Sequence, residues 1–351
     1  MSLTRSTQFE AYAANDAGPA VDRFLEVIQG ASEPHLLDFD GIEGEAGRSK
    51  SITQECVSLV EERITSHPSE RLYTGSQTDR EALAGKTQSF RVDRTSGAES
   101  SAHQVFFGGL TGNTGTVNVA IKPMDRRGAL MAEWVNLHLV RRRGFETFRP
   151  MGMMLTNEGG FLLTERRDKV ESMDNADWAS TITHRQSHEA MLDDLRKVGP
   201  VLAGLHDAGI FHGDAQLKNV VMDQKGGIYF IDWEAATIVE PPIWGELTEI
   251  QSGEVGIKTE KDLKALFGSL LRARSDGGVG MLNGLTPDTQ FSIFRELVLT
   301  PYLEERLTLL EKGTHVAPEE LLLQLGEVEE RIENYIKAGE LYKTLARTRR
   351  E

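Results

Sequence analysis

Apolar positions recur with two different periods along this chain, and the change of period divides it. In the first 85 residues, Val21, Phe24, Leu25 and Ile28 follow helical spacing up to Gly30. Ile52, Cys56, Leu59, Val60 and Ile64 repeat it and stop before Pro68. From about Lys86 the period becomes two. Residues 89–94, 103–107 and 116–121 read as strands, the last two joined by turn residues at 111–115. A helix follows over 127–142, with Leu130, Trp134 and Leu137 on one face and Glu133 beside them. Residues 151–155 and 161–164 form a hairpin across Asn157, Glu158, Gly159 and Gly160. Beyond it, Met191, Leu192, Leu195, Val198, Leu202 and Leu205 line one face of a helix that should kink at Pro200. A β-type run at 228–231 and a helix over 260–272 come next. In the tail, Leu321, Leu325, Val328, Ile332 and Tyr335 make a heptad-like seam that breaks near Gly339.

This pattern implies an α+β chain in four segments. They are a helical N-terminal extension (1–85), a strand-rich segment (86–168), a helical segment (169–312) and a C-terminal helical tail (313–351). The tail either packs on the helical segment or serves a partner or a second copy. Composition narrows the class: 39% apolar and 26% charged residues are those of a soluble globular protein. A net charge of −15 argues against sequence-independent nucleic-acid binding, and Arg141–Arg143 reads as a solvated helix end. One cysteine, Cys56, excludes an internal disulfide. No apolar run approaches the ~18 residues of a membrane span, and the start has no signal-peptide core, so a cytoplasmic protein is expected. The run Leu36-Leu37-Asp38-Phe39-Asp40-Gly41 resembles an aspartate-nucleophile phosphatase motif but lacks room for that fold. Gly41, Gly44 and Gly47 with Lys50-Ser51 miss the spacing of a phosphate loop.

The chemistry concentrates in 205–234, LHDAGIFHGDAQLKNVVMDQKGGIYFIDWE. Ile210-Phe211 leads into His212-Gly213-Asp214, Asn219 follows five positions after Asp214, and the 228–231 run delivers Asp232. Two carboxylates and an amide in this order suit phosphoryl transfer. One carboxylate orients the attacking hydroxyl, while the amide and second carboxylate hold Mg²⁺ on the nucleotide phosphates.

These residues resemble the catalytic and magnesium loops of the protein-kinase-like superfamily. HGDAQLKN stands for H-R-D-x-x-x-x-N, and Asp232-Trp233-Glu234 for D-F-G. His-Gly-Asp and Asp-Trp are forms of the atypical branch, with its aminoglycoside and choline phosphotransferases, lipopolysaccharide kinases and small atypical protein kinases. The resemblance implies a bilobal fold, an antiparallel-sheet N-lobe over 86–168 and a helical C-lobe over 169–312, with ATP and Mg²⁺ as cofactors. It implies that Asp214 is the base and that Asn219 and Asp232 hold the metal. Lys122, in Val119-Ala120-Ile121-Lys122, would hold the α- and β-phosphates, oriented by Glu133. Glu165 falls in the hinge that contacts adenine through its backbone. Gly97 and Ser100 lie in 95–101, where the family has its glycine-rich loop, although only one glycine is present. Asp262 matches the aspartate that braces the catalytic loop, or else caps the helix that begins near Thr259.

Three departures bear on function. Gln216 stands where many kinases carry a lysine, and Lys218 either reaches the γ-phosphate instead or is an exposed loop lysine. Gly213 replaces the arginine that binds an activation-loop phosphate, and no Ala-Pro-Glu follows, so phosphate-operated loop ordering is not expected. Gln216 and Lys218 also make a polycationic acceptor unnatural. The expected enzyme is an ATP- and Mg²⁺-dependent phosphotransferase acting on a Ser or Thr hydroxyl of a protein. The alternatives are a small-molecule kinase (sugar, antibiotic or metabolite) and a catalytically silent nucleotide-binding scaffold.

Overall fold

The computed structural model describes residues 8–11, 34–36, 72–74, 87–99, 104–112, 115–155, 159–167, 170–174, 188–239, 249–272, 280–313 and 326–338. The chain divides into two compact units. The first holds residues 1–168 with Trp233–Ala235, and the second holds residues 169–232 and 236–351.

The first unit is built on one sheet and one helix. Its strands are β1 (Gln8–Ala11), β2 (Pro34–Leu36), β3 (Leu72–Thr74), β4 (Thr87–Glu99), β5 (Gln104–Gly112), β6 (Gly115–Met124), β7 (Pro150–Leu155) and β8 (Gly160–Glu165). Their order is β1-β4-β5-β6-β8-β7-β3-β2. The five central strands are antiparallel neighbours, as the period-two pattern requires. All six residues of β7 are buried, so that strand is covered on both faces and shows no alternation. Helix α1 (Arg127–Arg142) follows β6 and has the predicted bounds. It buries more than the predicted stripe: Met131, Val135, Leu139 and Val140 are shielded as well as Leu130, Trp134 and Leu137. Strands β7 and β8 take one side of it and Trp233–Ala235 another.

In the N-terminal extension the described residues are strands. β1 runs parallel to β4, β3 pairs antiparallel with β7, and β2 runs parallel to β3. Each extends an edge whose N–H and C=O groups would otherwise be unpaired. The helices expected at 21–30 and 52–64 lie outside the described residues.

The loop expected at 95–101 needs correction. β4 continues to Glu99, and Gly97 pairs with Phe106. Residues 94–96 bulge out between the pairs Asp93–Phe107 and Gly97–Phe106, so the ladder resumes at the glycine instead of ending before it. Ser100 lies outside the described residues.

His138 of α1 is half-buried against Trp134, ring centroids 4.5 Å apart. Burial, helped by the Arg141 charge, lowers its pKa from 6.5 to about 4. The folded protein therefore binds this proton more weakly than the unfolded chain. Its contribution to stability is complete above about pH 6.5 and is lost as pH falls towards 4. Thermal midpoints recorded between pH 7 and 4 should decline from about pH 6.5 downward, and His138→Phe should make that decline shallower. An unchanged slope would mean that His138 titrates alike in the folded and unfolded chain.

The second unit carries a three-stranded sheet, order β12-β11-β9, from β9 (Val170–Ser172), β11 (Val220–Asp223) and β12 (Ile228–Phe230). A two-stranded pair joins β10 (Ile210–Phe211) to β13 (Thr237–Ile238). The other elements are helices: α2 (His188–Arg196), α3 (Val198–Asp207), α4 (Glu249–Leu271), α5 (Pro287–Phe294), α6 (Thr300–Gly313) and α7 (326–338). The predicted kink at Pro200 is instead a break at Lys197, between α2 and α3. Proline clashes with the carbonyl four residues before it, here that of Arg196, so the helix gives way upstream of the proline itself. α3 and the start of α6 meet at Gly199, where a Cβ would lie 2.4 Å from the Val298 carbonyl oxygen. Only a glycine permits this approach. Tail helix α7 buries Val328, Ile332 and Ile336 and leaves Tyr335 exposed beneath Lys264 of α4, 4.5 Å away. Arg295 pairs with Glu329 at 2.6 Å, so α7 packs within this unit. Leu321 and Leu325 lie outside the described residues. Among the described residues, no helix is long and apolar enough to cross a membrane.

Candidate active site

In the first unit, Lys122 sits in β6 and reaches α1, where its Nζ donates to Glu133 Oε2 at 2.7 Å. Glu133 is 4% exposed among apolar neighbours, an environment that a carboxylate tolerates only beside a cation. At the end of β8, the Glu165 N–H donates to the Arg149 carbonyl at 2.9 Å. The Glu165 N–H is thus already taken within the sheet. Burial alone would raise the Glu165 carboxyl. The Arg167 guanidinium, donating at 2.8 Å, and Arg149 outweigh it and hold the group below the usual range.

In the second unit, a hairpin brings the proposed metal residues together. β11 and β12 pair in the register Val220–Phe230, and Asp223 Oδ1 closes the turn by accepting from Lys225 and Gly227 N–H. The next rung sets Ile231 against Asn219, whose carbonyl accepts the Ile231 N–H at 2.9 Å. Asp232 is one residue further along. The Asn219 amide nitrogen donates to the Asp214 carbonyl (2.9 Å) and to Asp214 Oδ2 (3.0 Å). That turns Asn219 Oδ1 away from Asp214, where it can face a cation. An amide oxygen and a carboxylate are hard ligands of the kind Mg²⁺ takes, so the residues fit that ion.

Asp232 has φ +67°, a left-handed conformation that costs most residues about 1–2 kcal/mol and that Asp and Asn adopt most readily. Its predecessor is held at both ends, since the Ile231 carbonyl also accepts His212 Nε2–H at 2.9 Å. The other ring nitrogen, Nδ1, accepts the Asp214 N–H at 3.3 Å. Burial lowers the His212 pKa and keeps the ring in this neutral tautomer. The residue after Asp232 is just as firmly held. Trp233 Nε1 donates to Thr147 Oγ1 at 2.9 Å, and Asn136 Nδ2 donates to the Trp233 carbonyl at 2.7 Å, all within the first unit.

Beneath the 212–219 loop lies Asp262, fully buried. It accepts the N–H groups of His212 (2.8 Å) and Gly213 (2.7 Å) and Nε2–H of His206 (3.1 Å). Because α4 begins at Glu249, Asp262 stands in mid-helix, and the capping alternative does not apply. Burial would raise its carboxyl, but the hydrogen bonds it accepts from His206 and from the His212 N–H hold it low. His206 is driven neutral by burial and accepts the Tyr302 hydroxyl at 2.9 Å. Gly213 has φ +79°, so this loop position favours glycine over the arginine of the kinase loops it resembles.

Around Asp214 the structure places Gln216 Nε2 on Oδ1, Asn219 on Oδ2, and Lys218 Nζ 3.7 Å from Oδ2. The sequence reading missed Asn136, Thr147, His206, Ser269, Arg272 and Tyr302. Only Asn136, three positions after Glu133 on α1, carried a spacing that could have revealed it.

Comparison with known proteins agrees with this chemistry. The pattern of the lipopolysaccharide kinase (Kdo/WaaP) family matches residues 75–241, a stretch that contains Lys122, Glu133, Asp214, Asn219 and Asp232. Among solved structures, WaaP in complex with acyl carrier protein is similar at 16% identity and a TM-score of 0.42, over 76% of this chain and 98% of that one. No curated protein sequence matches. Residues 75–241 thus resemble kinases of the protein-kinase-like superfamily, in its atypical branch.

Proposed function

We propose that this kinase transfers the γ-phosphoryl group of ATP to a hydroxyl of a sugar or sugar-bearing molecule. The observation that carries the reading is the hairpin that brings Asn219 and Asp232 alongside Asp214. The acceptor class is supported by the match to a family described as lipopolysaccharide kinases, which favours a sugar over the protein Ser/Thr hydroxyl first expected. The left-handed Gly213, in place of a phosphate-binding arginine, also fits an enzyme without phosphate-operated control.

In this reading Lys122, oriented by Glu133, contacts the α- and β-phosphates, and the Glu165 carbonyl accepts from the adenine amine. Asn219 and Asp232 hold Mg²⁺, which neutralises charge on the phosphates when bound. Asp214 takes the proton of the acceptor hydroxyl as its oxygen bonds to Pγ. The bond from Pγ to the β,γ-bridging oxygen breaks, and ADP leaves. Lys218 faces the transferred group.

The test is transfer of labelled γ-phosphate to parallel panels of lipopolysaccharide-derived oligosaccharides and of Ser/Thr peptides. Label should enter the sugar panel and require Mg²⁺. Label in peptides alone would return the enzyme to the protein-kinase reading. No transfer, with no nucleotide-induced rise in thermal midpoint, would sink both.

A further inference from the structure

Helix α4 meets the 212–219 loop at three places on one face. Asp262 accepts the His212 and Gly213 N–H groups. Seven residues on, Ser269 Oγ accepts the Leu217 N–H at 3.1 Å while donating to the Leu266 carbonyl at 2.7 Å. Three further on, just past the helix end, Arg272 Nη1 donates to Gln216 Oε1 at 3.1 Å. Steps of seven and three keep all three on one side of a 3.6-residue helix. The first two contacts are buried and hold backbone. The third is exposed and holds only a side chain, the one that donates to Asp214 Oδ1. An exposed charged hydrogen bond adds little to stability, so the contact is better explained by what it does to Gln216.

We propose that Arg272 is a positioning residue for phosphoryl transfer, selecting the one orientation of the Gln216 amide that presents its NH₂ to Asp214. This rests on the reading of Asp214 as the base. The two ends of an amide are nearly the same size, but one donates and the other accepts. Turned round, Gln216 would set its carbonyl oxygen against the Asp214 carboxylate, acceptor against acceptor. A guanidinium only donates, so it pairs with Oε1 and leaves Nε2 for the carboxylate. Asn219 holds the second carboxylate oxygen, so with Gln216 fixed neither oxygen of Asp214 can swing. The lysine that many kinases carry here is a donor alone and needs no such selection. Arg272 is thus what a glutamine at this position requires.

Arg272→Ala should lower kcat about tenfold, the scale of losing orientation at a reacting group, with KM for nucleotide and acceptor unchanged. The thermal midpoint should move by less than about 2 °C. In a Gln216→Lys background, adding Arg272→Ala should change kcat less than twofold. An equal loss in that background would mean that Arg272 acts on the substrate directly, and an acceptor KM that rises with kcat constant would make it a binding residue; either overturns the proposal. A readout without turnover is the side-chain amide NMR signal of Gln216. Its two protons should be well separated and slow to exchange in the wild type, and should merge or exchange faster in Arg272→Ala. Identical amide signals in both proteins overturn the proposal whatever the activity. Failure of the underlying reading looks different: Asp214→Asn would be as active as the wild type.

Discussion

Asp214→Asn should lower phosphate transfer by roughly 10²–10⁴, the usual worth of a positioned general base, while folding and nucleotide binding should survive. The side chain keeps its size, and the loop that carries it is held from below by Asp262 and from the side by His212 Nδ1. The loss should exceed that of the base alone. The wild-type carboxylate accepts from Gln216 on one oxygen and from Asn219 on the other, whereas an asparagine must turn its own NH₂ against one of those donors. Rates with labelled ATP at saturating acceptor, alongside thermal melting with and without Mg·ATP, check both halves. A ligand at ~100 times its dissociation constant adds ~2.7 kcal/mol, and that rise should be retained in the variant. A variant as active as the wild type would refute the assigned base.

Asp232→Asn should fail in a different way. Asparagine tolerates the left-handed backbone at φ +67° as aspartate does, so the hairpin and its contacts to Asn219 and His212 stay in place. The lost negative charge weakens the hold on a hard cation. Activity should therefore need roughly tenfold or more Mg²⁺ and recover in part when that is supplied, whereas the defect of Asp214→Asn should not. A deficit indifferent to Mg²⁺ from 1 to about 50 mM would remove Asp232 from the metal site. Asp232→Ala would confuse the two effects, because alanine pays for the backbone conformation as well.

Elements whose side chains alternate between core and solvent could be read directly from the sequence. Helix α1 has the expected bounds because Arg127 to Arg142 carries a complete apolar face, and β6 was visible through Val119 and Ile121. Lys122, Glu133, Asp214, Asn219 and Asp232 could be singled out by the family resemblance, and the structure pairs Lys122 with Glu133 and Asn219 with Asp214. Strands β1, β2 and β3 were not, since three or four residues pairing through backbone leave almost no side-chain signature. The start of α4 was missed because Gly253 and Gly256 lower helix propensity where the helix is nonetheless formed. Contacts between residues far apart in sequence, such as Asn136 to Trp233 and Arg272 to Gln216, follow no period at all.

The three footholds of α4 also make its length matter more than most of its residues. One residue inserted between Asp262 and Ser269 rotates everything beyond it by about 100° and advances it about 1.5 Å. Ser269 and Arg272 would then leave the loop together, although neither had been changed. Point substitutions at an exposed position that makes neither contact, Lys261 for example, disturb neither. In random mutagenesis this helix should therefore accept many exchanges and almost no single-residue insertions or deletions between its second and third turns of contact, a pattern set by helical phase and not by any one side chain.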